Sequence, residues 1–509
     1  MGRQLDAYES KRDFARTAEP RGSVRPDDQG ERGTGGKAGK GGGGGGGGRG
    51  GRRRAPAFVV QEHHASALHW DLRLEHEGVG VSWAVPKGLP LDPGRNHLAV
   101  ATEDHPLDYF SFEGQIPTGE YGGGTVSIWD SGTYELEEWT ADKVKVVLHG
   151  RRVEGRYALF RTDGKHWMVH RMDPPPVPGW EPLPELVRPM LAVLTAEPPS
   201  GGGWAHEFKW DGVRAIVHVE GGRPRVVSRN DRDVTVTYPE VRALAESMGS
   251  AQAILDGELV AFDESGRPSF ERLQRRMHVT KSAQVRLLRD EVPVSFLAFD
   301  LLHLDGRSLL GEPYEQRRRR LEALDLGGAC WATPPSFDGE GADVLAASAA
   351  QGLEGIVSKR RDSRYHPGRR SDAWRKVKAF LAQEVVIGGW EPGEGKRAGR
   401  IGALHMGVRT DEGLAYVGQV GTGFSEPVLR DLAQRLAPLE RPDPPFDTPV
   451  PRPQAKSAHW VEPVLVAEVT YGNWTKEGRL RHPAYRGLRP DKDPREVVRE
   501  VPGPAGEPS

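Results

Sequence analysis

A chain of 509 residues exceeds what one hydrophobic core accommodates, so two to four domains are expected. Its 70 basic and 72 acidic residues leave a net charge of −2, so overall charge makes no case for nucleic acid, and any phosphate contact must come from local clusters. The single cysteine, Cys330, excludes an intramolecular disulfide and a cysteine-based metal cluster, and no apolar run of roughly 18 residues or signal-peptide core is present. These features predict a protein of the cytoplasm without a membrane partner.

Residues 1–55 carry almost no large apolar side chains, include an unbroken glycine run at 41–48, and end on Arg52, Arg53 and Arg54. A segment of this kind is expected to be a disordered leader, because it cannot offset its ordering entropy. From 56 to 173 short alternating stretches punctuated by glycine and proline predict a small β-barrel. A proline-rich stretch, 174–189, reads as a linker. In 190–380, strand patterns at 253–262 and 294–302 alternate with a helical pattern at 313–324, which predicts an α/β domain. Segment 381–496 returns to short strands with glycine turns, suiting a second small β-barrel, followed by a tail at 497–509. The fold class expected is therefore multidomain α+β. The run Arg317–Arg320 reads as a solvated helix face.

Chemistry-bearing residues cluster in the third segment. In E-F-K-W-D-G-V-R, Lys209 stands between Glu207 and Asp211, with Gly212 and Arg214 following. A lysine becomes a nucleophile when desolvation or a cationic neighbour lowers its pKa, and glycine lets the backbone approach a ligand. In I-L-D-G-E-L-V, the two-residue period of a strand puts Asp256 and Glu258 on one face, where they could bind a divalent cation or a ribose hydroxyl. In W-R-K-V-K, Trp374, Lys376 and Lys378 share a face. Two adjacent lysines repel, a cost most simply explained by a polyphosphate lying between them.

Taken in order, these segments resemble the motif set of the ATP-dependent DNA ligases, within the covalent nucleotidyltransferases. The resemblance covers roughly 185–495 and implies an adenylation domain followed by an OB-fold. It assigns Lys209 as the residue that becomes AMP-lysine, and S-R-N at Ser228–Asn230, with Arg229, as the ribose-contacting motif. Glu258 falls in the third motif, Phe299 of F-D-L-L matches the aromatic that stacks on adenine, and Glu354 of E-G-I-V matches the acid associated with magnesium or manganese. Lys376 and Lys378 match the α-phosphate lysines. Glu207, Asp211 and Arg214 complete the ATP-binding set, and Arg489 and Lys492 lie in R-G-L-R-P-D-K, similar to the motif that orients pyrophosphate.

The second segment holds a different constellation. In L-H-W-D-L-R-L, His69, Asp71 and Arg73 point to one side and Trp70, Leu72 and Leu74 to the other. Imidazole and carboxylate suit a transition metal, an arginine fork suits a phosphate oxygen, and His63 lies close enough in sequence to supply a third ligand. A further string, E-D-H-P-L-D-Y, contributes Glu103, His105 and Tyr109.

With F-V-V-Q-E-H-H, S-W-A-V-P-K-G and F-E-G-Q-I-P-T-G-E-Y-G-G-G, these strings resemble the phosphoesterase domain of bacterial DNA ligase D over roughly 57–172. The resemblance implies manganese on His63, His69 and Asp71, phosphate on Arg73 and His105, and active-site places for Tyr109, Gln61 and Glu103. It implies removal of 3′-phosphates and terminal ribonucleotides, which leaves the 3′-hydroxyl that ligation needs. His97 stands where the family often has a phosphate-binding arginine, which puts full phosphatase activity in question. Larger family members carry a polymerase domain that is not visible here, so gap filling is expected from a separate polymerase or primase, and a Ku-type end-binding protein is the expected partner on nicked or broken DNA. An RNA ligase or capping-type enzyme would share the lysine motif but not the C-terminal ending or the N-terminal domain. A non-catalytic DNA-end scaffold would not need every charged motif residue.

Overall fold

The computed structural model describes residues 5–21, 54–175, 178–393 and 400–500. The chain divides into two compact units, the first comprising the residues up to Pro182 with the short segments Glu220–Arg223 and Ala245–Ala251, and the second the remainder from Leu183. No helix among the described residues is long and apolar enough to cross a membrane.

The first unit is an antiparallel barrel. Strand Ala57–His64 pairs with both Leu68–His76 and Gly124–Trp139, which closes an eight-stranded ring, and short Gly114–Ile116 adds to the outside of Gly124–Trp139. Alternation sorts the residues of Leu68–His76. Trp70, Leu72 and Leu74 enter the apolar core with Phe58 and Val60, whereas Asp71 and Arg73 face the other way. The leader is partly a correction: residues 5–21 are folded onto this unit, with a helical turn at Asp6–Glu9. Tyr8 is wholly buried and Leu5 is nearly so, and both belong to the barrel's core cluster. Two apolar anchors and a set of paired charges supply the stabilisation that composition alone did not reveal. The glycine run and Arg52–Arg53 lie outside the described residues.

In the second unit, two sheets form the α/β part. A four-stranded sheet runs in the order Leu191–Leu194, Arg370–Lys378, Gly355–Arg360, Trp204–Phe208. The other sheet is centred on Gln252–Ala261 and Val294–Leu304, the latter supporting the helix Tyr314–Ala323. This helix corrects the reading of the arginine run. Arg317 is fully buried and bonds both Asp300 oxygens plus the carbonyls of Glu312 and Ser363, and Arg318 reaches the Pro334 carbonyl and Glu322. Only Arg319 and Arg320 face water. A guanidinium is tolerated inside when its donors are satisfied.

The C-terminal part of this unit is β-rich. Strands Gly413–Val420, Ile401–Thr410, Ala382–Pro392 and His459–Thr470 pair in that order, and Ala484–Leu488 adds to His459–Thr470. A backbone bond from Tyr485 to the Thr422 carbonyl draws the two ends of this sheet together. Helix Glu426–Leu436 buries Leu429, Leu432 and Leu436 in the same core, as its 3–4 residue apolar spacing requires.

Candidate active sites

On the barrel, Ala57–His64 and Leu68–His76 are registered so that Gln61 lies opposite Asp71 and His63 opposite His69. His63 Nδ1 and His69 Nε2 each lie 3.7 Å from an Asp71 oxygen. The other ring nitrogens are committed: His63 Nε2 bonds the Gly122 carbonyl at 2.8 Å and His69 Nδ1 bonds the Ala67 carbonyl at 3.0 Å. Each histidine thus donates away from the cluster and turns a lone pair toward Asp71, the arrangement of metal-ligating imidazoles held by carbonyl partners. The ligand atoms all lie within 4.8 Å of one another, so the donor set fits a divalent transition metal.

Beside this triad the polar groups interlock. Arg73 donates to Asp71 at 2.9 Å, to Gln61 Oε1 at 2.7 Å and to Ser82 Oγ at 2.9 Å, and contacts His105 Nδ1 at 2.9 Å. Gln61 in turn donates to the Tyr109 and Phe112 carbonyls. Burial alone would raise the Asp71 carboxyl, but the Arg73 guanidinium holds it well below the carboxylate range. Burial, then the Arg73 charge, pushes His105 well below the usual imidazole value, so it is neutral at pH 7. Burial raises the Tyr109 hydroxyl, which stays protonated.

The folded N-terminal segment completes this surface with residues that sequence reasoning missed. Arg12 lies over the Tyr8 ring, 3.9 Å from its centroid, donates to Glu19 at 2.7 Å and Glu103 at 3.1 Å, and comes within 3.3 Å of His105 Nε2. Glu19 accepts from the Tyr109 hydroxyl at 3.1 Å, and Lys11 pairs with Glu103 at 3.0 Å. The available signal was the spacing of Tyr8, Arg12 and Glu19 among sparse apolar residues, obscured by the glycine tract that follows. His97 is not brought into the cluster. It shares a strand face with Ala99, which is in the barrel core, and its Nδ1 donates to the Gly88 carbonyl at 2.8 Å.

In the second unit a cavity of about 730 Å³ gathers most of the expected ATP set: Glu207, Lys209, Arg214, Arg229, Glu258, Phe299, Glu354, Lys376, Lys378, Arg489 and Lys492 all line it. Lys209 follows the strand Trp204–Phe208, and its backbone N–H is fixed on the Gly355 carbonyl at 2.8 Å. Its Nζ donates to Glu354. Burial would lower the lysine's pKa, but Glu354 outweighs it and the net shift is upward. Against burial, Lys209 and Lys378 bring Glu354 down to about 2. Glu258 is raised by burial to about 7.

Asp211 and Asp256 stand apart from the cavity lining. Asp211 accepts from Arg486 at 2.9 Å, linking the lysine motif to the C-terminal part of the unit, and burial raises its carboxyl to about 6. Asp256 does not share a metal or ribose surface with Glu258. The register slips between Asp256 and Gly257, and Asp256 turns inward to accept from Arg214 at 2.5 and 2.6 Å and from the Tyr365 hydroxyl at 2.6 Å. Arg214 sits 4.5 Å from the centroid of the Phe299 ring. Lys359, not singled out from the sequence, is buried between Glu207, at 2.9 Å, and the carbonyl of Phe299, at 3.1 Å.

From the C-terminal part, Arg489 pairs with Glu468 and Asp491, each at 2.9 Å, Lys492 pairs with Glu384 at 2.6 Å, and Asn230 donates to the Asp491 carbonyl at 2.6 Å. The last described residue, Glu500, bonds Lys376 at 2.9 Å and Lys378 at 2.7 Å.

Comparison with known proteins matches domain models along most of the chain. Residues 61–161 match the model of the DNA ligase D 3′-phosphoesterase domain, 189–378 that of the ATP dependent DNA ligase domain, and 397–492 that of the ATP dependent DNA ligase C terminal region. The multifunctional non-homologous end joining DNA repair protein LigD of Mycobacterium tuberculosis is 50% identical over 448 residues, covering 87% of this chain and 57% of the relative. The corresponding Pseudomonas aeruginosa protein is 35% identical, covering 99% and 62%. The chain thus spans about 60% of the length of these relatives. A solved structure of mycobacterial DNA ligase D complexed with ATP and MES is 47% identical, with 62% of this chain and 98% of that one covered at a TM-score of 0.50. With that structure matched almost end to end and all three domain models in order, the chain belongs to the DNA ligase D family.

Proposed function

We propose that this protein seals DNA nicks and breaks with ATP through an AMP-lysine at Lys209, and that its barrel clears 3′ ends before sealing. The observation that carries the reading is Lys209 on the wall of a cavity that also holds Phe299, Glu354, Lys376 and Lys378. Glu354 holds Lys209 protonated in the resting site; a divalent cation taking up that carboxylate, with Lys376 and Lys378 beside it, would lower the lysine's pKa and free its lone pair for attack on the α-phosphorus of ATP. The Lys209 Nζ–phosphorus bond forms, the bond to pyrophosphate breaks, and the lysine proton is released. Lys376 and Lys378 stabilise the charge that builds on the phosphoryl oxygens, since such transfers depend on positioning and electrostatics. Phe299 offers a face for adenine, and Arg229 and Glu258 offer polar groups for the ribose. Arg489 and Lys492 face the pyrophosphate side. AMP then passes to a 5′-phosphate, and attack by a 3′-hydroxyl releases it.

Glu354 is the residue to hold magnesium or manganese, which would neutralise phosphate charge. On the barrel, His63, His69 and Asp71 are the residues to hold manganese, which would activate a water or polarise a phosphate. Arg73 is the donor for phosphate oxygens; neutral His105, its N–H on the Glu103 carbonyl, and Tyr109, its hydroxyl on Glu19, pack beside it and would offer donors to phosphate only on exchanging those partners. The setting is end joining, the process that the names of the relatives print for those proteins, and this reading expects a Ku-type protein at the break and a place at the nucleoid.

The test is a nicked duplex bearing a 3′-phosphate, incubated with the protein, α-labelled ATP and manganese. Labelled protein, loss of the 3′-phosphate and a sealed strand are expected in that order. A chain that takes no covalent label overturns the ligase reading, and a 3′-phosphate that persists while 3′-hydroxyl nicks are sealed overturns the phosphoesterase reading.

A further inference from the structure

Lys376 and Lys378 stand on one face of the strand Arg370–Lys378, and the anion between them is a carboxylate of the chain itself. Glu500 places one oxygen 2.9 Å from Lys376 Nζ and the other 2.7 Å from Lys378 Nζ. A carboxylate and the α-phosphoryl group of a nucleotide each carry one negative charge over two free oxygens, so both satisfy this lysine pair equally. The pair cannot serve both.

The segment leading to Glu500 is seated on the protein rather than trailing from it. The Arg409 backbone N–H donates to the Val497 carbonyl, and Val497 is buried in the C-terminal core. The fully buried Gln383 reads two successive points of the segment: its Nε2 donates to the Val498 carbonyl at 3.0 Å and its Oε1 accepts from the Glu500 N–H at 3.0 Å. Residues 497–500 line the same cavity as Lys209, Phe299 and Glu354. A surface ion pair would need no such seat.

We propose that Glu500 is an internal competitor of the nucleotide, its carboxylate holding the phosphate position between Lys376 and Lys378 until ATP displaces it. This rests on the reading of these lysines as phosphate contacts. Segment docking and polyphosphate binding are then mutually exclusive, and apparent affinity for ATP is reduced by the fraction of molecules with the segment undocked. A segment docked about nine-tenths of the time imposes a roughly tenfold weakening. DNA ends or partner proteins that draw the segment away would raise nucleotide affinity without touching the cavity.

The experiment measures initial rates of covalent AMP labelling against ATP concentration for the full chain and for Glu500→Gln and Glu500→Ala. Half-saturation is expected to fall by about tenfold in both variants, with the maximal rate unchanged. An unchanged or higher ATP requirement would overturn the proposal, since an ion pair that only braces the fold has no reason to oppose ATP. Hydrogen exchange on the unmodified chain gives an independent reading that does not depend on how the variants fold. Amides of 497–500 should exchange faster when ATP and magnesium are added, and equal or slower exchange would also overturn it. Should the unmodified chain take no label, the nucleotide reading itself fails; label with unaltered ATP dependence removes only the role of Glu500.

Discussion

The Lys209 ammonium and the Glu354 carboxylate form a direct ion pair although they come from strands that are far apart in sequence. Antiparallel pairing of Trp204–Phe208 with Gly355–Arg360 brings them together: the ladder ends at Phe208 opposite Ile356, Lys209 follows with its N–H on the Gly355 carbonyl, and Glu354 is the residue just before that glycine. Lys209→Arg should therefore keep the ion pair and the fold, because a guanidinium also pairs with a carboxylate. It should abolish AMP labelling, because arginine stays protonated and offers no nucleophile. Lys209→Ala should lose labelling too, with 3′-phosphate removal unchanged in both. Label retained by the arginine variant would place the nucleophile elsewhere.

The barrel triad makes a separate prediction. His69→Ala removes one lone pair aimed at Asp71 and leaves Arg73, Gln61 and His105 in place. Removal of 3′-phosphate at limiting manganese should fall by at least about 100-fold, beyond the 10–100-fold typical of losing a residue that only orients a ligand. AMP labelling should not change. Processing at the original rate across a manganese series would mean that His69 holds no metal.

Arg12 and Glu19 extend that prediction into the N-terminal segment. Arg12→Ala removes the partner of Glu19 and Glu103 and the cation facing His105, and Glu19→Gln removes the charge that holds Arg12 and accepts from Tyr109. Each should slow 3′ processing by about tenfold or more while ligation of clean nicks continues, a loss typical of groups that order an active-site cluster. Unaltered processing in both variants would leave the segment a structural cover.

What the sequence revealed, and what it did not, follows from the range of the interactions. Lys209, Glu258, Phe299, Lys376 and Lys378 sit in short strings whose local pattern survives inspection one segment at a time, and all of them line one cavity. Period-two alternation likewise separated Asp71 and Arg73 from Trp70 and Leu72. The failures needed information from distant segments. Asp256 looked like a neighbour of Glu258 because strand periodicity assumes no bulge, and the slip at Gly257 is visible only against its partner strand. Arg317 looked solvated because Asp300, its buried partner, lies on a different element. Tyr8 and Leu5 could not be recognised as anchors, since the core that receives them begins some fifty residues later.

The turn of Asp256 inward has a cost that can be measured. Arg214, Asp256 and Tyr365 form a closed set in which Asp256 is fully buried and accepts from both partners. Asp256→Asn leaves the Arg214 guanidinium without its counter-charge and should destabilise the ligase unit by about 3 kcal/mol, the low end for breaking a buried pair. The thermal midpoint should drop by roughly 6–12 °C. A midpoint within a degree of the original would show that solvent compensates the loss.

His97 carries the last prediction, because its environment reverses the expectation attached to it. A histidine in the place of a phosphate-binding arginine would lose affinity for phosphate as pH rises and its charge fades. Here burial is the largest influence on the ring and lowers its pKa, and Nδ1 is committed to the Gly88 carbonyl. The folded state therefore prefers neutral His97, whereas the unfolded chain protonates it near the ordinary value of about 6.5. Its contribution to stability is present above that value and is lost as pH falls from there toward the lower folded value. His97→Gln keeps a donor for Gly88 and removes the titration. Between about pH 7 and pH 5 the unmodified protein should lose more stability than this variant, measured by denaturant unfolding of the barrel. The KM for 3′-phosphate removal should follow the same pH profile in both. A KM that climbs with pH only in the histidine protein would return His97 to the phosphate site.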